Sequence, residues 1–348
     1  MADSPTLRIL DAAANRATEG LRVVEDYLRF VLDDRHLTSL AKQLRHDLAA
    51  TTARIPPIDR HAARDTRSDV GTNLSTPEES RRADLAAVAA ASFKRVEQAL
   101  RSLEEYSKLI DPSLAAGFES LRYETYTLER AADLTADSLR RLECARLYVL
   151  IDGRSSLAEF ESLAKSLVAA GVNLIQLRDK QLDDRQLLAR ARRLREITGG
   201  TETLFVMNDR PDLALLARAD GVHVGQTELM VKEVRAIVGP KPLVGVSTHS
   251  LEQARRAVLD GANYIGVGPT FPSDTKPFEQ FPGLGLLRDV AAEIRLPAFA
   301  IGGIAVENVR EVLATGICRV AVSSAILSAV DPGAAVREIR GRVSGEAH

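Results

Sequence analysis

The sequence predicts an α/β protein, a (β/α)8 TIM barrel preceded by a mainly α-helical domain, and three observations carry that expectation. Of the 22 glycines only Gly20, Gly71 and Gly117 precede Cys144. After Cys144, eight short β-rich runs alternate with amphipathic helical patterns. Before it, long segments rich in Ala, Leu, Arg and Glu repeat at helical spacing. The change sets a boundary near residues 134 to 145, with a helical domain over 1–140 and a barrel over 145–345.

The helical part is interrupted by IPPID at 55–59 and by a polar stretch at 64–80, both read as breaks. The β-rich runs then follow in order: 147–152, 172–178, 203–208, 221–225, 243–247, 263–268, 297–301 and 319–323. Helical patterns such as 157–170, 184–197 and 251–260 lie between them. Eight βα units in this length fit a closed barrel, whose active sites gather at the C-terminal strand ends. An open doubly wound sheet is the competing architecture. The count of eight and the late Gly pairs favour the barrel.

Composition bounds the function. The 348 residues are 45% hydrophobic, ordinary for a chain that buries cores. Lys and Arg number 46 against 48 Asp and Glu, a formal charge of -2, so no general grip on nucleic acid or an anionic membrane is expected. No apolar run reaches roughly 18 residues, and the first residues lack a secretory layout, so a cytoplasmic location is expected. Cys144 and Cys318 form no metal-spaced cluster and are expected to be reduced packing residues.

Polar groups cluster where the β-rich runs end. Run two ends in Gln176, Arg178 and, just beyond, Lys180, run three in Asn208 and Asp209, run four leads through Gly225 and Gln226 to Glu228, and run five ends in Ser247. Run six leads into Ser273, Thr275 and Lys276, run seven into Gly302 and Gly303, and run eight into Ser323 and Ser324. Arg178, Lys180 and Lys276 suit a phosphorylated ligand. Asp209 and Glu228 are hard oxygen donors, suited to a Mg²⁺ shared with substrate oxygens. The Gly302–Gly303 and Ser323–Ser324 segments offer backbone N–H groups for a second phosphate. Taken singly, each element has a structural reading as loop, turn, cap or bend, and His223 reads as a packed strand residue and His249 as a loop hydrogen-bonder. Their register on one barrel face is what points to a site.

The motifs QLRDK (176–180), FVMND (205–209), ADGVHVGQTEL (219–229), VGVSTHS (244–250), YIGVGPTFPSDTK (264–276), AIGGI (300–304) and VAVSSAI (320–326) resemble the thiamine-phosphate synthase family, across 145–330. The resemblance implies coupling of 4-amino-2-methyl-5-hydroxymethylpyrimidine diphosphate to a thiazole phosphate, giving thiamine phosphate and diphosphate. It implies that Gln176 to Lys180, Asn208, Ser247 and Lys276 hold the pyrimidine diphosphate, with Arg178, Lys180, Ser247 and Lys276 acting in catalysis. It further implies Mg²⁺ on Asp209 and Glu228, and the thiazole phosphate on Ser273, Asp274, Thr275, Gly303, Ser323 and Ser324. Glu228 departs from the Asp usual in that family by one methylene. Two other readings stay open: a barrel resembling the related thiazole tautomerase, and a non-catalytic barrel that only binds thiazole phosphate.

The helical part contains an internal echo. Arg16, Leu21, Arg22, Glu25 and Tyr27 match Arg95, Leu100, Arg101, Glu104 and Tyr106, in each case 79 residues on. The Arg and Glu of each copy are three apart and share a helix face, so a pseudo-symmetric helix pair carrying a charged cleft is expected. Segments 8–34, 40–48 and 64–72 resemble a helical domain fused ahead of some thiamine-phosphate synthases. That resemblance implies ATP-dependent phosphorylation of the pyrimidine monophosphate, although no Walker A sequence is present. Arg45, Asp47, Arg64, Asp65, Arg67 and Asp69 are the candidate phosphate and metal groups there. A docking or dimerisation domain is the non-enzymatic alternative, and a homo-oligomer is compatible with either.

Overall fold

Every β-rich run forms a strand: β1 (Leu147–Ile151), β2 (Leu174–Leu177), β3 (Leu204–Asn208), β4 (Gly221–Val224), β5 (Leu243–Thr248), β6 (Tyr264–Val267), β7 (Ala298–Ile301) and β8 (Val320–Val322). The order is β1 through β8 with β8 returning to β1, a closed barrel of parallel pairs. The structure, a computed structural model, describes residues 3–66, 81–272 and 282–344. Ser273, Asp274, Thr275 and Lys276, like Arg67 and Asp69, lie outside the described residues.

The barrel is filled rather than hollow. Tyr148, Leu174, Val206, Leu243, Tyr264, Phe299 and Ala321 form one buried cluster. Its aromatic rings meet edge to face, Tyr148 with Phe299 at 5.3 Å and Tyr264 with Phe299 at 5.6 Å between centroids, each pair contributing about 0.5–1.5 kcal/mol beyond area burial. Gly245 makes the room: a Cβ there would stand 2.1 Å from the Tyr264 ring.

Helices α6 (Leu157–Ala169), α7 (Asp184–Thr198), α8 (Pro211–Ala217), α9 (Val231–Val238), α10 (Leu251–Asp260), α11 (Gly283–Glu293), α12 (Val309–Leu313), α13 (Ser324–Leu327) and α14 (Pro332–Ser344) surround the strands. The sequence of α10 shows why they form where they do. Ser250 caps its start by accepting from Gln253 N at 3.2 Å, Ala254, Ala257 and Val258 bury one face, and Gly261 ends it at φ 89. Replacing Ser250 with Ala would cost about 1 kcal/mol.

Before the barrel come α1 (Ser4–Phe30), α2 (Arg35–Ala53), α3 (Pro57–Ala63), α4 (Leu85–Ser107) and α5 (Pro112–Arg141). Each of α1, α2 and α4 starts at an Asp whose carboxylate accepts a backbone N–H: Asp3, Asp34 and Asp84. Helices α1 and α4 pack closely, and Gly20 allows it, since a Cβ there would fall 2.6 Å from Val96 Cγ2.

The chain divides into two compact units, Met1–Asp133 and Leu134–His348. The division falls within α5, ahead of the residue-140 end expected for the helical domain. The last turns of α5 belong with the barrel for a physical reason. Asn263, just before β6, donates to Ser138 Oγ at 3.0 Å, and Leu142 is buried in the barrel cluster. Cys144 and Cys318 are free, as expected, but both are exposed rather than packed, which corrects the second half of that expectation. No helix among the described residues is long and apolar enough to cross a membrane.

Candidate active site

The barrel mouth holds a cavity of about 350 Å³. Of the residues singled out from sequence, Gln176, Arg178, Asn208, Ser247, Gly302, Gly303, Ser323 and Ser324 line it. They arrive from β2, β3, β5 and the segments after β7 and β8, which is the convergence that a closed parallel barrel enforces. Ser323 is fixed by donating its hydroxyl to Leu150 O at 3.0 Å. Gly303 takes φ +63 and approaches Phe271 O and Pro272 O so closely that a Cβ would collide at 2.6 to 2.8 Å.

A hydrogen-bonded chain crosses the cavity floor. Gln176 Nε2 donates to Tyr148 OH at 2.5 Å, Tyr148 OH lies 2.9 Å from Tyr264 OH, Tyr264 OH lies 3.3 Å from His223 Nδ1, and His223 Nε2 lies 2.9 Å from Ser247 Oγ. With the Gln176 amide donating, every hydroxyl along the chain is satisfied when the donors point one way. Tyr148 donates to Tyr264, Tyr264 to His223, and the imidazole Nε2–H to Ser247. Its two ends then offer complementary groups. Gln176 Oε1 is buried and has no hydrogen-bond partner among the described residues, and the Ser247 hydroxyl has its proton left to give.

Electrostatics keep the chain neutral. Burial, then the nearby Arg178 charge, lowers the His223 pKa to about 4. Burial raises both phenols, Tyr148 and Tyr264, above the ordinary tyrosine value. No proton is therefore gained or lost along it near neutral pH.

The carboxylates stand beside this cavity. Asp209 follows β3 in the left-handed region at φ 59, its amide bonded to His223 O at 2.8 Å. Its Oδ2 accepts from Asn208 Nδ2 at 2.7 Å and lies 3.8 Å from Lys180 Nζ. Burial and the Glu228 charge raise the Asp209 carboxyl above its usual range, while Lys180, Asn208 and Arg178 pull the other way. Glu228 folds back over Gly225, where a Cβ would stand 2.4 Å from Glu228 Oε2. Among the described residues no group of three or more His, Cys, Asp or Glu could hold a metal ion. Two mutually repelling carboxylates fit Mg²⁺, which takes one or two carboxylates and completes its shell with water and phosphate oxygens.

Of the described residues singled out from sequence, Leu177, Asp179, Lys180, Asp209 and Glu228 do not line the cavity, and the first two have other roles. Leu177 is fully buried, on the strand face opposite to Gln176. Asp179 shapes the loop instead. Burial works against its charge, but the amides of Gly153, Gln181 and Leu182 donate to it at 2.7 to 3.0 Å and hold the carboxyl below the usual Asp value. Sequence reasoning missed Tyr148, Asp152, Phe299 and the lining role of His223 and His249. His249 does bond as a loop residue, Nδ1 to Gly268 O at 2.6 Å.

In the helical unit, Glu25 is bridged by Arg22 at 3.8 Å and Arg45 at 3.0 Å, and Glu104 by Arg101 at 2.6 Å and Arg122 at 2.9 Å. The echo thus extends from α1 and α4 into α2 and α5. Both glutamates are buried clamps between helices. Asp47 is taken by Gln43 on the exposed face of α2, while Arg64 and Asp65 line a separate cleft.

Residues 147–326 match the family described as Thiamine monophosphate synthase, and residues 8–131 match the ThiD2 family. A thiamine-phosphate synthase of Rhodopirellula baltica is 48% identical over 329 residues, covering 92% of this chain and 88% of that one. Another, of Gloeobacter violaceus, is 44% identical over 328 residues and covers 94% of each. Among solved structures, a thiamine phosphate pyrophosphorylase from Pyrococcus furiosus superposes with a TM-score of 0.53 at 36% identity, over 58% of this chain and 96% of that one. With the site motifs on one barrel mouth and relatives matched along nearly their full length, this chain belongs to the thiamine-phosphate synthase family.

Proposed function

We propose that the barrel couples 4-amino-2-methyl-5-hydroxymethylpyrimidine diphosphate to a thiazole phosphate, releasing diphosphate. The observation that carries this reading is the pair of chain ends in the cavity. Gln176 Oε1 is a buried acceptor in need of an N–H, and the Ser247 hydroxyl is a donor held by His223. An aminopyrimidine edge offers an amino N–H beside a ring nitrogen, the complementary pattern, and leaving the Gln176 oxygen bare would cost about 1–3 kcal/mol.

The chemistry follows from charge placement. The bond from the pyrimidine methylene to the diphosphate oxygen breaks, its electron pair leaving with diphosphate, and the amino-bearing ring stabilises the methylene cation. The thiazole nitrogen then donates its lone pair to that carbon, forming the C–N bond. Arg178 and Lys180, with Lys276 by the family resemblance, would stabilise the departing oxygens, where charge grows in the transition state. Asp209 and Glu228 would hold Mg²⁺, which when bound supplies further positive charge to those oxygens. Gly303, Ser323, Ser324 and the segment Ser273 to Thr275 would take the thiazole phosphate. No side-chain nucleophile is needed.

The helical unit supplies the pyrimidine diphosphate in this reading. The acceptor phosphate oxygen of the pyrimidine monophosphate attacks the terminal phosphorus of ATP, a P–O bond forms, the bond to the bridging oxygen breaks, and ADP leaves. The match of residues 8–131 to the ThiD2 family supports a pyrimidine-related role. Thiamine phosphate formed from ATP, pyrimidine monophosphate and thiazole phosphate tests the whole scheme. Product only from added pyrimidine diphosphate would leave the helical unit with a docking role.

A further inference from the structure

The helical unit contains a cleft of about 460 Å³, built on the first half of α1. Arg8, Ala12, Asn15 and Arg16 fall at i, i+4, i+7 and i+8, one stripe of the helix, and Arg64, Asp65 and Thr66 form the facing wall. Small side chains at Ala12 and Ala13 leave the space between the two arginines open. The volume sits at the small end of the roughly 300–1,000 Å³ typical of small-molecule sites.

Charge in this cleft is arranged rather than scattered. The Asp11 side chain, 4% exposed, accepts from Arg64 Nε on Oδ2 at 2.7 Å and from Arg64 Nη2 on Oδ1 at 2.9 Å, and Arg60 Nη1 lies 3.6 Å from that same Oδ1. A two-pronged pair of this kind fixes the plane of the guanidinium. Arg64 keeps its remaining N–H groups, and its side chain is 42% exposed. Arg8 is tied to the same wall through Asp65 O at 3.3 Å. In the lining Arg8, Arg16 and Arg64 outnumber Asp11 and Asp65, and Arg60, outside the lining, also pairs with Asp11, leaving a surplus of positive charge that suits a phosphate dianion.

The internal echo separates this cleft from the scaffold. Glu25 with Arg45, and Glu104 with Arg122, recur in both halves and consume their charges in helix clamps. The positions 79 residues after Arg8 and Asp11 are Ala87 and Ala90, so the second half keeps a counterpart of Arg16, at Arg95, but none of Arg8 or of the carboxylate that holds Arg64.

We propose that this cleft binds the phosphate monoester group of a small heteroaromatic acceptor, with Arg16 and Arg64 contacting the phosphate and Asp11 acting as the positioning residue for Arg64. The identity of the acceptor rests on the kinase reading of the helical unit, but the phosphate site does not.

The test uses the full chain with the barrel filled by thiamine phosphate. Binding of the pyrimidine monophosphate is measured calorimetrically in wild type, Arg16→Gln, Arg64→Gln and the double variant, alongside ADP release and barrel coupling of added pyrimidine diphosphate. Each single variant is expected to weaken binding about tenfold, as loss of a charge-assisted pair does, with the KM for the monophosphate rising in parallel and the KM for ATP within about twofold. Asp11→Asn should weaken binding in wild type but add little in the Arg64→Gln background, a dependence that a merely structural role would not show. Unchanged helical circular dichroism and an unchanged melting profile report an intact helical unit, and unchanged barrel coupling an intact barrel. Arg64-dependent binding without ADP release supports the site and removes the kinase reading. ADP release with an unchanged monophosphate KM in the double variant overturns the site and keeps the kinase reading.

Discussion

His223 Nε2 lies 2.9 Å from Ser247 Oγ, and this contact ties a buried neutral imidazole to the hydroxyl that faces the ligand. Its pKa, lowered to about 4 by burial and then by Arg178, is below that of an exposed His near 6.5. The unfolded chain therefore takes up a proton that the folded barrel refuses, between those two values. Stability from this group is fully present above about pH 6.5 and is lost as pH falls towards 4, a loss of roughly 3 kcal/mol. Urea unfolding at pH 7.5 and pH 5 should show a smaller drop for His223→Gln than for wild type, and equal drops would place the imidazole's charge elsewhere.

Gln176→Ala removes the acceptor offered to the amino group while leaving the cations in place. Affinity for the pyrimidine diphosphate should fall by about 1–3 kcal/mol, with affinity for thiazole phosphate nearly unchanged. Titration of each substrate separately checks this, and equal losses for both would point to a collapsed floor around Tyr148.

Metal dependence should follow Asp209 and Glu228. Asp209→Ala is expected to reduce turnover sharply and raise the Mg²⁺ concentration needed for half-maximal rate, and Glu228→Asp to retain most activity. Rates measured across a Mg²⁺ series distinguish this from a folding defect, which would lower the plateau without moving the midpoint.

The two phosphate regions should respond differently. Removing Arg178, Lys180 or Lys276 takes charge from a group that becomes more negative in the transition state, and should cost about 2–4 kcal/mol in kcat/KM with kcat affected. Ser324→Ala should act mildly, because the nest binds through backbone N–H groups. Equal effects at Lys180 and Ser324 would remove the division of labour.

The barrel unit starts at Leu134, with Ser138 and Leu142 joined to it. A fragment of residues 134–348 should unfold at a higher temperature than one of residues 145–348, since the latter exposes the cluster around Leu142 and leaves Asn263 Nδ2 without Ser138. Indistinguishable melting curves would contradict this packing.

Much of the barrel was legible because short β-branched runs between capped helices leave few alternatives, and Arg178, Asn208 and Ser247 were legible because strand ends must converge in a closed barrel. The chain from Gln176 to Ser247 was not. It needs Tyr148, Tyr264 and His223 from three separate strands to meet inside, and each reads alone as an interior packing residue. Leu177 and Asp179 were swept in by a contiguous motif, whereas strand alternation and a loop of backbone donors send them elsewhere. In the helical unit the Arg22 and Arg101 faces were visible as a repeat, but the bonds that make Glu25 and Glu104 clamps come from Arg45 and Arg122 on other helices. The Asp11 to Arg64 pair joins residues 53 positions apart, beyond any helical periodicity.

The most direct measurement incubates the full chain with pyrimidine diphosphate, thiazole phosphate and Mg²⁺ and quantifies both products. Thiamine phosphate and diphosphate should appear in equal amounts, with formation suppressed in Arg178→Ala and in Asp209→Ala. A correctly folded protein that releases no diphosphate at saturating substrate, or releases it without forming thiamine phosphate, would contradict the account.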